Sequence, residues 1–152
     1  MDLTVTITYS DVISQCGKLS AYEGRDRHDA AGADLYEKIN ITAQDEPLVS
    51  DYLSRSLVAV RERIEDMITG ISSSSTAETW TLRTTQRRYD SKGYNGLGKH
   101  IGEALAASVM TAWLSYNGLE ERARFYQTVF ENEMKLISDN LHTKAAPTRP
   151  TT

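Results

Sequence analysis

Ala112-Trp113-Leu114-Ser115-Tyr116-Asn117-Gly118-Leu119-Glu120-Glu121 joins two long amphipathic stretches, and its reading decides the fold. Upstream, Ile101, Leu105, Val109, Ala112 and Trp113 recur at helical spacing between about Lys99 and Tyr116. Downstream, Ala123, Tyr126, Phe130, Met134, Ile137 and Leu141 do the same between about Leu119 and Leu141. Apolar residues three and four apart form one stripe on a helix, ready to pack against a neighbour. Asn117-Gly118 interrupts the pattern with a short connector, which makes the two helices antiparallel neighbours or a kinked pair.

Working outward, Glu78 to Thr84 alternates Trp80 and Leu82 with Thr79, Thr81 and Arg83, the period of a strand. Leu3, Val5 and Ile7 alternate with threonines in the same way. The two strands are expected to pair, because a lone strand leaves its backbone groups unsatisfied. Thr8 or Ser10 then caps a helix that carries Val12, Ile13, Cys16 and Leu19 on one face and ends near Gly24. Residues 24–44 are polar and read as a loop, long enough to be functional or ordered by a neighbour. Asp45, Glu46 and Pro47 open another helix, with Leu53, Leu57, Val60, Ile64 and Met67 as its stripe. Gly70 is expected to end it, and Ser72 to Ser75 to form a flexible bridge. The sum is a mainly α (α+β) fold. Residues 1–143 are expected to form a four-helix bundle-like domain with a small two-stranded β element, and residues 144–152 an extended C-terminal tail.

With 152 residues, 39% apolar and 25% charged, the chain suits one domain with a real core. A formal charge of -4 argues against broad nucleic-acid affinity, which needs several phosphates neutralised. A single cysteine, Cys16, rules out an internal disulfide and suits a reducing interior. The opening residues lack a basic and then apolar signal pattern, and no apolar run approaches a membrane span of about 20 residues. A soluble protein made in the cytoplasm is expected.

No constellation of residues predicts catalysis, a metal or a cofactor. Gly93-Tyr94-Asn95-Gly96-Leu97-Gly98-Lys99 resembles a phosphate loop, but His100 stands where Ser or Thr must hold Mg²⁺. No buried strand precedes it, so a glycine-rich loop leading into the third helix is expected. His28, His100 and His142 fall in separate elements and read as solvated surface residues. Asp26, His28, Asp29 and Asp34 share a polar loop without the closing Glu of a calcium site. Cys16, on an apolar face with no histidine beside it, reads as a small core residue. Trp80, Trp113, Tyr126 and Phe130 read as core.

Two features suggest partners. Arg83, Arg87, Arg88 and Lys92 make one basic patch, which suits an acidic partner or DNA phosphates, or else protects an edge strand by charge. In the tail, Pro147 and Pro150 forbid helix, while Lys144 and Arg149 are the only charges. Lys144, Pro147, Thr148, Arg149 and Pro150 therefore form an extended basic segment suited to an acidic groove or a sheet edge on another subunit.

Leu3-Thr-Val-Thr-Ile-Thr-Tyr-Ser-Asp11, Ala112-Trp-Leu114 with Glu121 to Tyr126, and the closing Pro147-Thr-Arg-Pro150 carry a resemblance that spans most of the chain. The chain resembles small proteins encoded among the virion genes of phages and prophages of gut Bacteroidetes. Its plan is also similar to the adaptor (head–tail connector) proteins of tailed phages. That resemblance implies a ring, commonly of twelve copies, around the DNA channel, with the tail gripping the portal. The 24–44 loop and the glycine-rich 93–98 stretch depart from the plan. On this expectation the partners are other copies of the chain, the portal and tail or neck proteins, and the location is the virion neck. DNA passes without specific binding, and no membrane is involved. A regulatory or nucleic-acid-binding module using the 83–92 patch is the rival expectation.

Overall fold

In the computed structural model the described residues are 2–25, 39–83 and 91–142. They form a mostly helical protein with four α-helices and one small antiparallel sheet. Strand β1 (Asp2–Thr8) leads directly into α1 (Tyr9–Gly24). A 3₁₀ turn (Ala43–Asp45) precedes α2 (Glu46–Arg63). A second 3₁₀ turn (Glu65–Met67) delivers β2 (Ile68–Ser73), which hairpins into β3 (Ala77–Arg83). Helices α3 (Ser91–Tyr116) and α4 (Glu120–His142) complete the order.

The expected pairing of the two alternating strands holds: β1 and β3 run antiparallel, with Leu3 opposite Leu82 and Val5 opposite Trp80. The sheet nevertheless has three strands, not two, in the order β1-β3-β2. The helical stripe of α2 breaks at Ile64, whose φ of -123° is no longer helical, so Gly70 does not end a helix. It lies instead at a bulge of β2, where the register shifts between Ile68 and Gly70. Ser72 and Ser73 complete β2, and Ser74 and Ser75 lie in the hairpin turn. The Ser74 amide donates to the Ala77 carbonyl at 2.8 Å, and the Ser74 hydroxyl accepts from the Ala77 amide at 3.2 Å. Their short side chains offered a turn as readily as a linker. Because β2 covers one side of β3, Arg83 ends a central strand and protects no edge.

A further correction concerns α3, which begins at Ser91 and so takes Gly93–Gly98 into a helix. The stretch is helix and not a glycine-rich loop, so the phosphate-loop resemblance has no loop behind it. The turn at Gly118 is as expected, with a left-handed φ of 80° that suits glycine at a helix end. Across it, His100 reaches Glu133 at 2.7 Å, which fixes α3 and α4 as antiparallel neighbours.

Helix α3 is the hub, packing against α4, α2, α1 and β1. Ile101, Leu105, Val109 and Trp113 are buried in it, as expected, while Ala112 is half-buried. The stripes of α2 and α4 are buried as read, Met67 within the 3₁₀ turn after α2. The Trp113 indole N–H donates to the Ile39 carbonyl at 2.7 Å and pins the chain just before α2. Each buried aliphatic side chain contributes roughly 1.5–3 kcal/mol.

Candidate interaction groove

Helices α1 and α2 both lean on α3, and on the surface between them a groove stays open. Val12, Cys16 and Ser20 of α1 are buried, as are Val49, Ser56 and Val60 of α2. The next residues around each helix become the walls. Tyr9 and Ile13 face Ser50, Leu53, Ser54, Leu57, Val58 and Arg61 across a cavity of about 400 Å³, closed below by Ser75 and Glu78. Through Tyr9, Ile13, Ser50 and Ser75 it continues into a second cavity of about 460 Å³ that reaches Ser10, Ser14 and Glu46. Through Val58 and Arg61 it continues the other way into about 360 Å³ bounded by Glu62, Glu65, Ile68 and Ile71.

The floor is apolar and partly wet: Val58 is 44% and Ile71 47% exposed. At its centre lies Glu78, only 5% exposed. A buried carboxylate must be paired and hydrogen-bonded, and this one is. Its Oε1 accepts from the Trp80 indole at 2.9 Å and from Arg61 Nη1 at 2.9 Å, while the Tyr9 hydroxyl lies 3.5 Å from Oε2. Burial first, and then Glu78, raises the Tyr9 hydroxyl above its ordinary pKa, so Tyr9 remains a donor. The exposed carboxylates Glu46, Glu62 and Glu65 have no partner among the described residues. The groove is thus acid-rimmed, lined with hydroxyl donors and apolar beneath.

No protein-family model, curated protein or solved structure matches the chain.

A second polar cluster ties the end of α1 to the start of α4. Glu23, 2% exposed, accepts from Arg122 Nε at 2.9 Å and Nη2 at 2.6 Å, and from the Tyr126 hydroxyl at 3.1 Å. The Arg122 guanidinium also sits 4.3 Å from the centre of the Phe125 ring. Burial, with Glu23 beside it, pushes the Tyr126 hydroxyl up to about 12. This bidentate arrangement fixes the geometry of the cluster.

The residues singled out from sequence fare unevenly. Lys144, Pro147, Thr148, Arg149, Pro150, Arg87 and Arg88 lie outside the described residues, as do Asp26, His28, Asp29 and Asp34. Lys92 is in α3 and its side chain is not described, so of the basic patch Arg83 alone is placed, exposed at the end of β3. His100 is not simply solvated but paired with Glu133, and the His142 side chain is not described. Trp80, Trp113, Tyr126 and Phe130 are buried, as expected. Among the described residues no group of three His, Cys, Asp or Glu is placed to hold a metal, and no helix is long and apolar enough to cross a membrane.

The groove escaped the sequence reading, although one signal was present. Glu78 stands two residues before Trp80 and so shares its inward face. A carboxylate on an apolar face announces a buried partner.

Cys16 is fully buried, and burial pushes its thiol from 9.0 up to about 12. That shift lowers the thiolate fraction about a thousandfold. Alkylation by a maleimide, followed by mass spectrometry, should therefore be slow in the folded protein and rapid in denaturant. Equal rates in both would contradict a core thiol.

Proposed function

We propose that the chain is a structural subunit of a phage virion neck, a head–tail connector (adaptor) ring protein between portal and tail. The observation that carries this reading is the groove: an open, acid-rimmed, apolar-floored channel on a body whose core is built around α3. A surface of that kind suits a macromolecular partner better than a small metabolite, because its three cavities run along a whole helix. The resemblance of the β1–α1 stretch and the closing Pro-Thr-Arg-Pro to virion proteins points the same way. In the assembled neck, bundle-like bodies would stand side by side in a closed ring, commonly of twelve copies. A net charge of -4 lets DNA pass the channel without adhering. Many weak contacts closing a ring hold tightly through effective concentration.

Deleting residues 144–152 is expected to leave a folded protein with an unchanged melting profile that no longer joins the connector. Circular dichroism and electron microscopy of assemblies on portal rings check the two halves of that statement. Normal assembly of the truncated chain would refute the role given to the tail. Absence of the full chain from purified virions would refute the virion reading itself.

A further inference from the structure

We propose that the groove between α1 and α2 receives the segment Lys144–Pro150 of a neighbouring copy. The inference rests on the assembly reading above and gives the tail a receptor within the ring. Charge is the first argument. Lys144 and Arg149 are the segment's only charges, while Glu46 at one end of the groove and Glu62 and Glu65 at the other have no partner among the described residues. Hydrogen bonding is the second. Pro147 and Pro150 have no N–H, so an extended segment offers more carbonyl acceptors than donors. The groove supplies donors in return, the hydroxyls of Ser50 and Ser75, while those of Tyr9 and Ser54 already donate to Glu78 and to the Ser50 carbonyl. The alanines and prolines meet the apolar floor at Val58 and Ile71.

Length is the third argument. Sixteen residues of helix separate Glu46 from Glu62, about 24 Å. A polyproline-like segment advances about 3.1 Å per residue, so Lys144 and Arg149 stand about 16 Å apart. Their long side chains cover the difference at both ends. A second copy, not the chain's own body, is the recipient that the ring reading calls for, and a chain that closed its tail on itself would stay monomeric.

The test uses full-length chains in sedimentation equilibrium. Glu46→Lys with Glu62→Lys and Glu65→Lys reverses both ends of the groove, and Lys144→Glu with Arg149→Glu reverses the tail. Glu46, Glu62 and Glu65 are exposed, and thermal melts verify the folding of every variant. Each reversed chain is expected to self-associate at least about tenfold more weakly than the unaltered chain. In an equimolar mixture each groove meets a tail of opposite charge, so association should return between unlike chains, and a chain carrying all the changes should recover it as well. Unaltered association in either reversed chain would overturn the proposal. So would an unaltered chain that stays monomeric, or a groove reversal that acts while tail reversal does not, since the groove would then hold another part of the neighbour. Virions that incorporate the reversed chains normally would sink the groove alone and leave the neck assignment standing. Pairing of purified chains that are absent from virions would do the opposite.

Discussion

Trp80→Ala is expected to cost about 3–5 kcal/mol, the range for removing a large buried aromatic side chain. Trp80 is fully buried in the middle strand, opposite Val5 on β1 and Ile71 on β2, so its loss opens a cavity where all three strands meet. The indole also donates one of the hydrogen bonds that satisfy Glu78. Removing it leaves a carboxylate that is 5% exposed with fewer donors, which adds to the cavity term. A typical domain has a total stability of about 5–15 kcal/mol, so this one change consumes a large part of it. Urea denaturation measures the loss, and an unchanged slope would show that the fold is retained. Glu78→Gln keeps an acceptor for the indole and should cost less. A loss below about 1 kcal/mol for Trp80→Ala would contradict the packing described for the sheet.

Arg122→Ala is expected to cost about 3 kcal/mol, because it strips the bidentate guanidinium from Glu23, which is 2% exposed. Arg122→Lys should recover only part of this, since an ammonium cannot reproduce the planar fork. The same cluster sets an alkaline limit. An unfolded tyrosine ionises near 10, whereas Tyr126 in the folded protein is held up to about 12 by burial and by Glu23. The neutral hydroxyl's contribution is complete below pH 10 and is lost as pH rises from 10 towards 12. Cys16 acts with the same sign, from 9.0 towards about 12. Stability to urea should therefore fall across this window. Tyr126→Phe and Cys16→Ala should each flatten the fall, though Tyr126→Phe also gives up the bond to Glu23. A profile unaffected by either substitution would contradict both assignments.

The four helices were legible because their stripes are periodic and long. The buried residues of α4 match the pattern Ala123, Tyr126, Phe130, Met134, Ile137 and Leu141 without exception. Pro47 and the acidic residues before it marked the start of α2 correctly. The end of α2 was misplaced because Met67 continues the helical spacing even though the backbone has already turned at Ile64. A 3₁₀ turn can bury the next apolar residue on the same side as a helix would, so periodicity alone does not separate them. The strand β2 was invisible for a different reason: Ile68-Thr-Gly-Ile-Ser-Ser73 alternates weakly, and its side chains are mostly exposed. Its formation depends on β3 offering a free edge.

The groove belongs to the same class of information. Local sequence fixes which face of α1 and which face of α2 is apolar, and the strands and the Gly118 turn follow from local alternation and backbone preference. How far apart α1 and α2 settle on α3 is decided by packing between residues distant in the chain, such as Cys16 with the Ala106 carbonyl and Ser56 with Ser108. That separation opens the channel and brings Tyr9, Arg61 and Glu78 together from three elements. Short-range periodicity carries the helices and β1–β3, while non-local contacts alone set the third strand, the buried carboxylates and the channel they border.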